Sequence, residues 1–346
     1  MVRRDGTVDE MSDNDADAAR LGRLNGIKLR ALVAEHLGLG TTASIGEPAD
    51  FPPGAALIHD GAAWILLADQ PGRRLGAALT WALRRGVGRV AIVAEEQTGM
   101  LARRAEAFDL DIDVWHADGR RLLPAVAEPL PDAAAAGDGH EVFRARIVEG
   151  GAEPVVEHGV LAGEVRGLEV CRVVDDESPA TTRLDVGIGA HDREAFQMLH
   201  GDVPTVESLA RIVEAVAAHR RVDAPHHPLN RLAAERFLRW RLIEDPGLVG
   251  MASLAPVAPP VPRANLKDPA PCVAAGTDAD GVPTVVVCSW GVDLELVPFA
   301  ADARRAVEER TGVPHRLVLS MPTRDRMRVT DDLAARLHRP ADIATV

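Results

Sequence analysis

Residues 89–119 read RVAIVAEEQTGMLARRAEAFDLDIDVWHADG. The run RVAIVAEE (89–96) is apolar without alternation, the mark of a strand covered on both faces of a parallel sheet. TGMLARRAEAF (98–108) has helical spacing, with Thr98 as N-cap. DIDVWHADG (111–119) returns to strand and ends in a turn at Asp118–Gly119. A strand, a helix and a second strand in this order make a crossover unit, which places the two strands parallel.

Working back from this unit, AALIHD (55–60) and AAWILLAD (62–69) flank Gly61 and read as a hairpin. RRLGAALTWALRRG (73–86) reads as a helix closed by Gly86, and a further helical run extends from Leu21 to His36. The order over 20–130 is therefore α-β-β-α-β-α-β, an N-terminal α/β domain. Residues 1–19 are polar and acidic and are expected to form a disordered tail.

Working forward, PDAAAAGDG (131–139) is a low-complexity linker. A β-rich and helical middle segment is expected over 131–225, with strands in EVFRARIV, EPVVEHGVLAG, GLEVCRVV and RLDVGIG, then helices at 191–200 and 206–221. A C-terminal α/β domain is expected over 226–346. It opens with an amphipathic helix, LNRLAAERFLRWRLI (229–243), and an extended Pro-rich crossing at 255–263. Strands at 272–277 and 283–290, the latter running on as far as 297, precede a helix at 299–311, a strand at 315–320 and a last helix near 330–338. Both α/β blocks share the outline helix, hairpin, helix, strand. The expected fold class is α/β, with two α/β sandwich cores joined by the β-rich middle.

Composition bounds the rest. The chain has 346 residues, and 47% are hydrophobic, but only 3% are aromatic and none is Tyr, so the core must be aliphatic. Lys28 and Lys267 are the only lysines, and the Ala-, Gly-, Pro- and Arg-rich usage suggests a GC-rich bacterial source. A net charge of −13 disfavours a general nucleic-acid binder, although a local basic groove is still compatible with it. No apolar run reaches membrane-spanning length, and Arg3 and Arg4 are not followed by the apolar region of a secretory signal. Cys171, Cys272 and Cys288 are scattered without a CxxC pair, which fits buried, reduced thiols in a cytoplasmic protein.

The segment VAIVAEEQTGMLARRAEAFDLDIDVWHADGRRLL (90–123) resembles the later half of Mrr-type restriction endonucleases. The matching positions are Thr98, Asp118, Gly119 and Leu122, and the match covers about a tenth of the chain. The resemblance implies the restriction-endonuclease-like fold of the PD-(D/E)XK superfamily. It also implies an Asp on one strand and a (D/E)-x-K triplet on the next, with two carboxylates holding a divalent cation and the Lys handling water.

This chain departs from that pattern. In the first block Asp60 could stand for the first acid, but the next strand offers only Asp69 and no Lys. In the second block Glu235 lies on the amphipathic helix and Asp278 ends a strand. If the strand continues past Gly291, Asp293 and Glu295 share one face of it. Asp278, Asp293 and Glu295 are thus the metal candidates, with Glu235 supporting, and Mg or Mn would be needed only if the chain is an enzyme. The rival reading is a solvated strand edge. Arg231, Arg239 and Arg241 make a helical stripe, the best nucleic-acid patch, against the alternative of a plain solvated face.

Histidines gather at His191, His200, His219, His226 and His227, with Asp192 and Asp202 nearby. His191–Asp192 is similar to the paired His-Asp of HD-type phosphohydrolases, or alternatively opens a helix. No phosphate-binding loop, dinucleotide fingerprint or G-x-S-x-G elbow is present. The expected function is non-catalytic binding, to nucleic acid or to a protein partner, on a degenerate nuclease-like fold with no cofactor. The alternative is a divalent-metal-dependent nuclease or phosphohydrolase. A third possibility, a small-molecule-binding Rossmann-like protein, rests on the parallel strands alone. Oligomeric state is left open.

Overall fold

A computed structural model describes residues 7–39, 45–132, 134–175, 182–189, 205–223, 227–261 and 270–346. The chain is an α/β protein whose contacts divide it into two units. The first unit comprises Met1–Pro129 together with Leu294–Ala301 and Arg328–Pro340. The second comprises Leu130–Asp293, Asp302–Met327 and Ala341–Val346. The block read as one C-terminal domain, 226–346, is therefore shared between the units.

In the first unit, helix α1 (Thr7–His36) precedes strands β1 (Ala49–Phe51), β2 (Gly54–His59) and β3 (Ala62–Leu67). Helix α2 (Leu75–Leu83), β4 (Arg89–Ala94), α3 (Thr98–Ala105), β5 (Asp111–Asp118) and β6 (Arg121–Pro124) follow. The strands form one sheet in chain order. The β1/β2, β2/β3 and β5/β6 pairs are antiparallel, and β3/β4 and β4/β5 are parallel. Leu29, Leu32 and Val33 of α1 pack on one sheet face with Leu57, Trp64, Leu66 and Val93. The alternate positions Ala63, Ile65, Leu67, Val90 and Ile92 are also buried, and the crossover helices α2 and α3 lie on β4 and β5. That two-sided cover explains why β3 and β4 read as unbroken apolar runs.

Residues 7–19, read as tail, are helical in α1. No Gly or Pro stands between Thr7 and Arg20 to stop the helix from propagating back.

The second unit holds two sheets. Short helices α4 (Asp138–Glu141) and α5 (Arg144–Glu149) lead into an antiparallel sheet of β7 (Glu153–Glu157), β8 (Val160–Val165), β9 (Leu168–Asp175) and β10 (Thr182–Val186). Helix α6 (Thr205–His219) packs on it, with Leu209 and Val216 in the shared core. EVFRARIV is thus helical, not a strand. Phe143 and Ile147 stand four apart and are buried, while Val142 and Val148 are exposed.

Helix α7 (Ala234–Glu244) opens the last block, followed by β11 (Met251–Val257), β12 (Cys272–Asp278), β13 (Pro283–Cys288), α8 (Leu296–Thr311), β14 (Arg316–Met321), α9 (Arg328–Ala334) and β15 (Asp342–Thr345). The sheet order is β11-β12-β13-β14-β15. Its first two pairings are antiparallel and its last two parallel.

This pairing pattern is that of β1 through β5, and the flanking helices occur at the same places. The two sheets share details as well. The hairpins β2/β3 and β12/β13 both turn through Asp-Gly, at Asp60–Gly61 and Asp280–Gly281. Gly86 and Gly312 follow α2 and α8 with φ 69 and 71, a left-handed conformation that costs glycine little. Each is followed by Val, and β4 and β14 then open on Arg89 and Arg316. These pair with Asp111 and Asp342, which open β5 and β15, at 3.7 and 2.7 Å. The two sheets therefore share strand order, pairing sense and these residue-level features.

Candidate functional site

Of the carboxylates singled out for metal chemistry, Asp278 and Glu295 are held in structural work. Strand β13 stops at Cys288 and α8 starts at Leu296, so Asp293 and Glu295 do not share a strand face. Beyond Cys288, Gly291 takes φ 83, a left-handed turn that prevents the alternation from continuing to Asp293. Asp278 braces its own turn. Its Oδ1 accepts the N–H groups of Asp280 and Val282 at 3.0 and 2.8 Å, and its Oδ2 accepts from Arg316 at 2.8 Å. The Val282 N–H above all, then the Asp280 N–H and Arg316, hold its carboxyl below its ordinary pKa. In the first unit, Glu295 is buried, accepts the Gly76 N–H, and lies 3.9 Å from Arg104 Nη1.

Glu235 is buried on α7, and its backbone carbonyl accepts the Cys272 thiol. Asp60 sits in the hairpin turn with φ 48, and β3 carries only apolar residues, all buried. Among the described residues, no group of three His, Cys, Asp or Glu side chains is arranged to hold a metal ion. His191, Asp192, His200, Asp202 and His226 lie outside the described residues. His219 and His227 stack with ring centroids 4.3 Å apart, and His227 Nδ1 accepts the Leu229 N–H.

The arginine stripe does not form a face. Arg239 is buried, with 2% of its surface exposed, whereas Arg231 is exposed and Arg241 half-buried. Arg239 reaches Glu164 at 3.3 Å and Glu157 at 3.5 Å. Its neighbour Arg236 pairs with the same two carboxylates, which stand on β7 and β8. Burial works against the Arg236 charge, but Glu164 and Glu157 outweigh it and raise its pKa. The network fastens α7 to the antiparallel sheet, so these arginines are unavailable to a nucleic acid.

A different surface is exposed in the first unit. On α1, Leu21, Leu24 and Ile27 are 49%, 54% and 67% exposed. They lie on the helix face away from Leu29 and Val33. Beside them runs an open groove of about 710 Å³ between α1 and the β1 edge, with Gly22 and Gly26 on the helix wall and Phe51 opposite. The helical run from Leu21 to His36 carries two apolar faces. The available signal was that Leu24 and Ile27 cannot share a stripe with Leu29 and Val33 at 100° per residue.

No family model matches this chain, and no curated protein and no solved structure is significantly similar to it. Among the described residues, no helix is long and apolar enough to cross a membrane.

Proposed function

We propose that this chain is a non-catalytic binding protein, built on two copies of an α/β core resembling that of restriction endonucleases, and that its partner is a protein. The observation that carries this reading is the α1 surface: a contiguous apolar stripe beside an open groove. Exposed apolar patches of this kind mark protein-binding sites. The state of the acids and arginines supports the same reading. Asp278 braces a turn, Glu295 caps a helix, and Arg236 and Arg239 are neutralised inside the second unit.

Anisotropy titrations with duplex DNA, single-stranded DNA and RNA at low salt test this. The expected result is no saturable binding. Binding that falls steeply with salt and weakens in Arg231→Glu would overturn the protein reading in favour of a nucleic-acid partner.

A further inference from the structure

We propose that the solvent face of α1 receives an acidic amphipathic helix from a partner protein. The inference rests on the protein-binding reading above and adds the chemistry of the partner. Its first support is charge. Arg20 and Arg23 are exposed alongside Leu21, Leu24 and Ile27. Arg30 and Lys28, farther along, are already paired with Glu47 and Glu95. From Asp17 to Glu35 the helix holds four basic residues and two acidic ones, Arg20, Arg23, Lys28 and Arg30 against Asp17 and Glu35. An acidic flank over Arg20 and Arg23 is complementary. The other acidic residues of α1, Asp9, Glu10, Asp13 and Asp15, lie before this stretch, so its positive charge is concentrated beside the groove.

Its second support is the internal repeat. Leu238 and Leu242 of α7 pack on their sheet as Leu29 and Val33 of α1 pack on theirs. Two residues before and one after Leu238 stand Arg236 and Arg239; the same steps from Leu29 reach Ile27 and Arg30. In the second unit this helix face is closed by a layer of the same chain that brings Glu157 and Glu164. The α1 face is the corresponding surface, and it is exposed at Ile27.

The geometry favours a helix as occupant. The β1 edge is flanked by Pro48, Pro52 and Pro53, which lack the N–H groups that strand addition needs. The groove follows α1 from Ala18 to Arg30, about 18 Å or three helical turns at 1.5 Å per residue. Glu47 and Asp50 on the far wall confine the acidic flank to the α1 side.

The test uses the full chain and a labelled synthetic helix of about 20 residues with leucines at i, i+3 and i+7 spacing. One version carries glutamates on one flank, and a control carries lysines there. The glutamate probe should bind about tenfold more tightly than the lysine probe. Ile27→Glu and Arg23→Glu should each weaken it about tenfold with unchanged circular dichroism, and Arg23→Glu should recover binding of the lysine probe. Equal affinity for both probes, or no binding by either, would overturn the proposal. Self-association abolished by Ile27→Glu would make a second copy the occupant and overturn it too. Displacement of the glutamate probe by single-stranded DNA would overturn the protein-binding reading itself.

Discussion

The Glu295 carboxylate accepts the backbone N–H of Gly76, a residue 219 positions earlier in the chain. The acceptor sits at the first turn of α2, where N–H groups have no partner within the helix and a carboxylate suits the dipole. A residue that first reads as a metal ligand is a helix cap delivered from far along the sequence.

This contact fixes what Gly76 can be. A Cβ there would lie 1.8 Å from the Leu294 carbonyl oxygen. Gly76→Ala should cost about 1–3 kcal/mol through overpacking. Glu295→Ala should cost about 1–2 kcal/mol through loss of the cap. Denaturant unfolding of both variants checks this, and unchanged midpoints would show that the cap and the close approach carry no stability.

The buried pairs on α7 make a second prediction. Arg239→Met should destabilise by about 3–5 kcal/mol, because Glu164 and Glu157 are left with less compensating charge in a covered site. Replacing Arg236, Arg239, Glu157 and Glu164 together with apolar residues should recover much of that loss. Thermal unfolding of the single and fourfold variants separates a structural ion network from a dispensable one.

Acid stability should depend on Asp278. Its carboxyl is held below its ordinary value in the folded protein by Val282, Asp280 and Arg316. A depressed folded pKa contributes stability that is present above the unfolded value, about 3.9, and lost as pH falls through the folded one. Asp278→Asn should therefore lower stability near neutral pH and flatten its decline in acid, as read from unfolding midpoints between pH 7 and pH 2. A parallel shift at every pH would contradict the assignment.

The thiols offer a direct check on the cores. Cys171, Cys272 and Cys288 are buried, and Cys272 stands opposite Cys288 in the β12/β13 register. The neighbouring Cys272 thiol, and then burial, raise the Cys288 pKa, which suppresses its thiolate. A thiol reagent should find none of the three promptly in the native protein and all of them in denaturant. Prompt labelling of one would mean that its sheet is open.

How much of this was legible follows the physics of each segment. The β3-α2-β4-α3-β5 run was readable because sheet burial on both faces leaves unbroken apolar strands, and Gly86 marks a helix end. Strands β1 and β11 were hidden by Pro52, Pro53 and Pro256, which signal extended linkers when read locally. The site was harder. Arg239 looks like a surface charge until Glu164, 75 residues away, is placed against it. The role of Glu295 needs Gly76. The repeat was visible as an outline, whereas the Arg89–Asp111 and Arg316–Asp342 correspondence needed the ion pairs between adjacent strands to show it.

The proposed binding function requires no metal chemistry. Calorimetric titration of the full chain with Mn²⁺, run beside a plasmid-cleavage assay in the same buffer, tests it most directly. The expected result is no saturable heat and intact plasmid. A single-site isotherm accompanied by cleavage, both lost in Asp293→Ala, would contradict it.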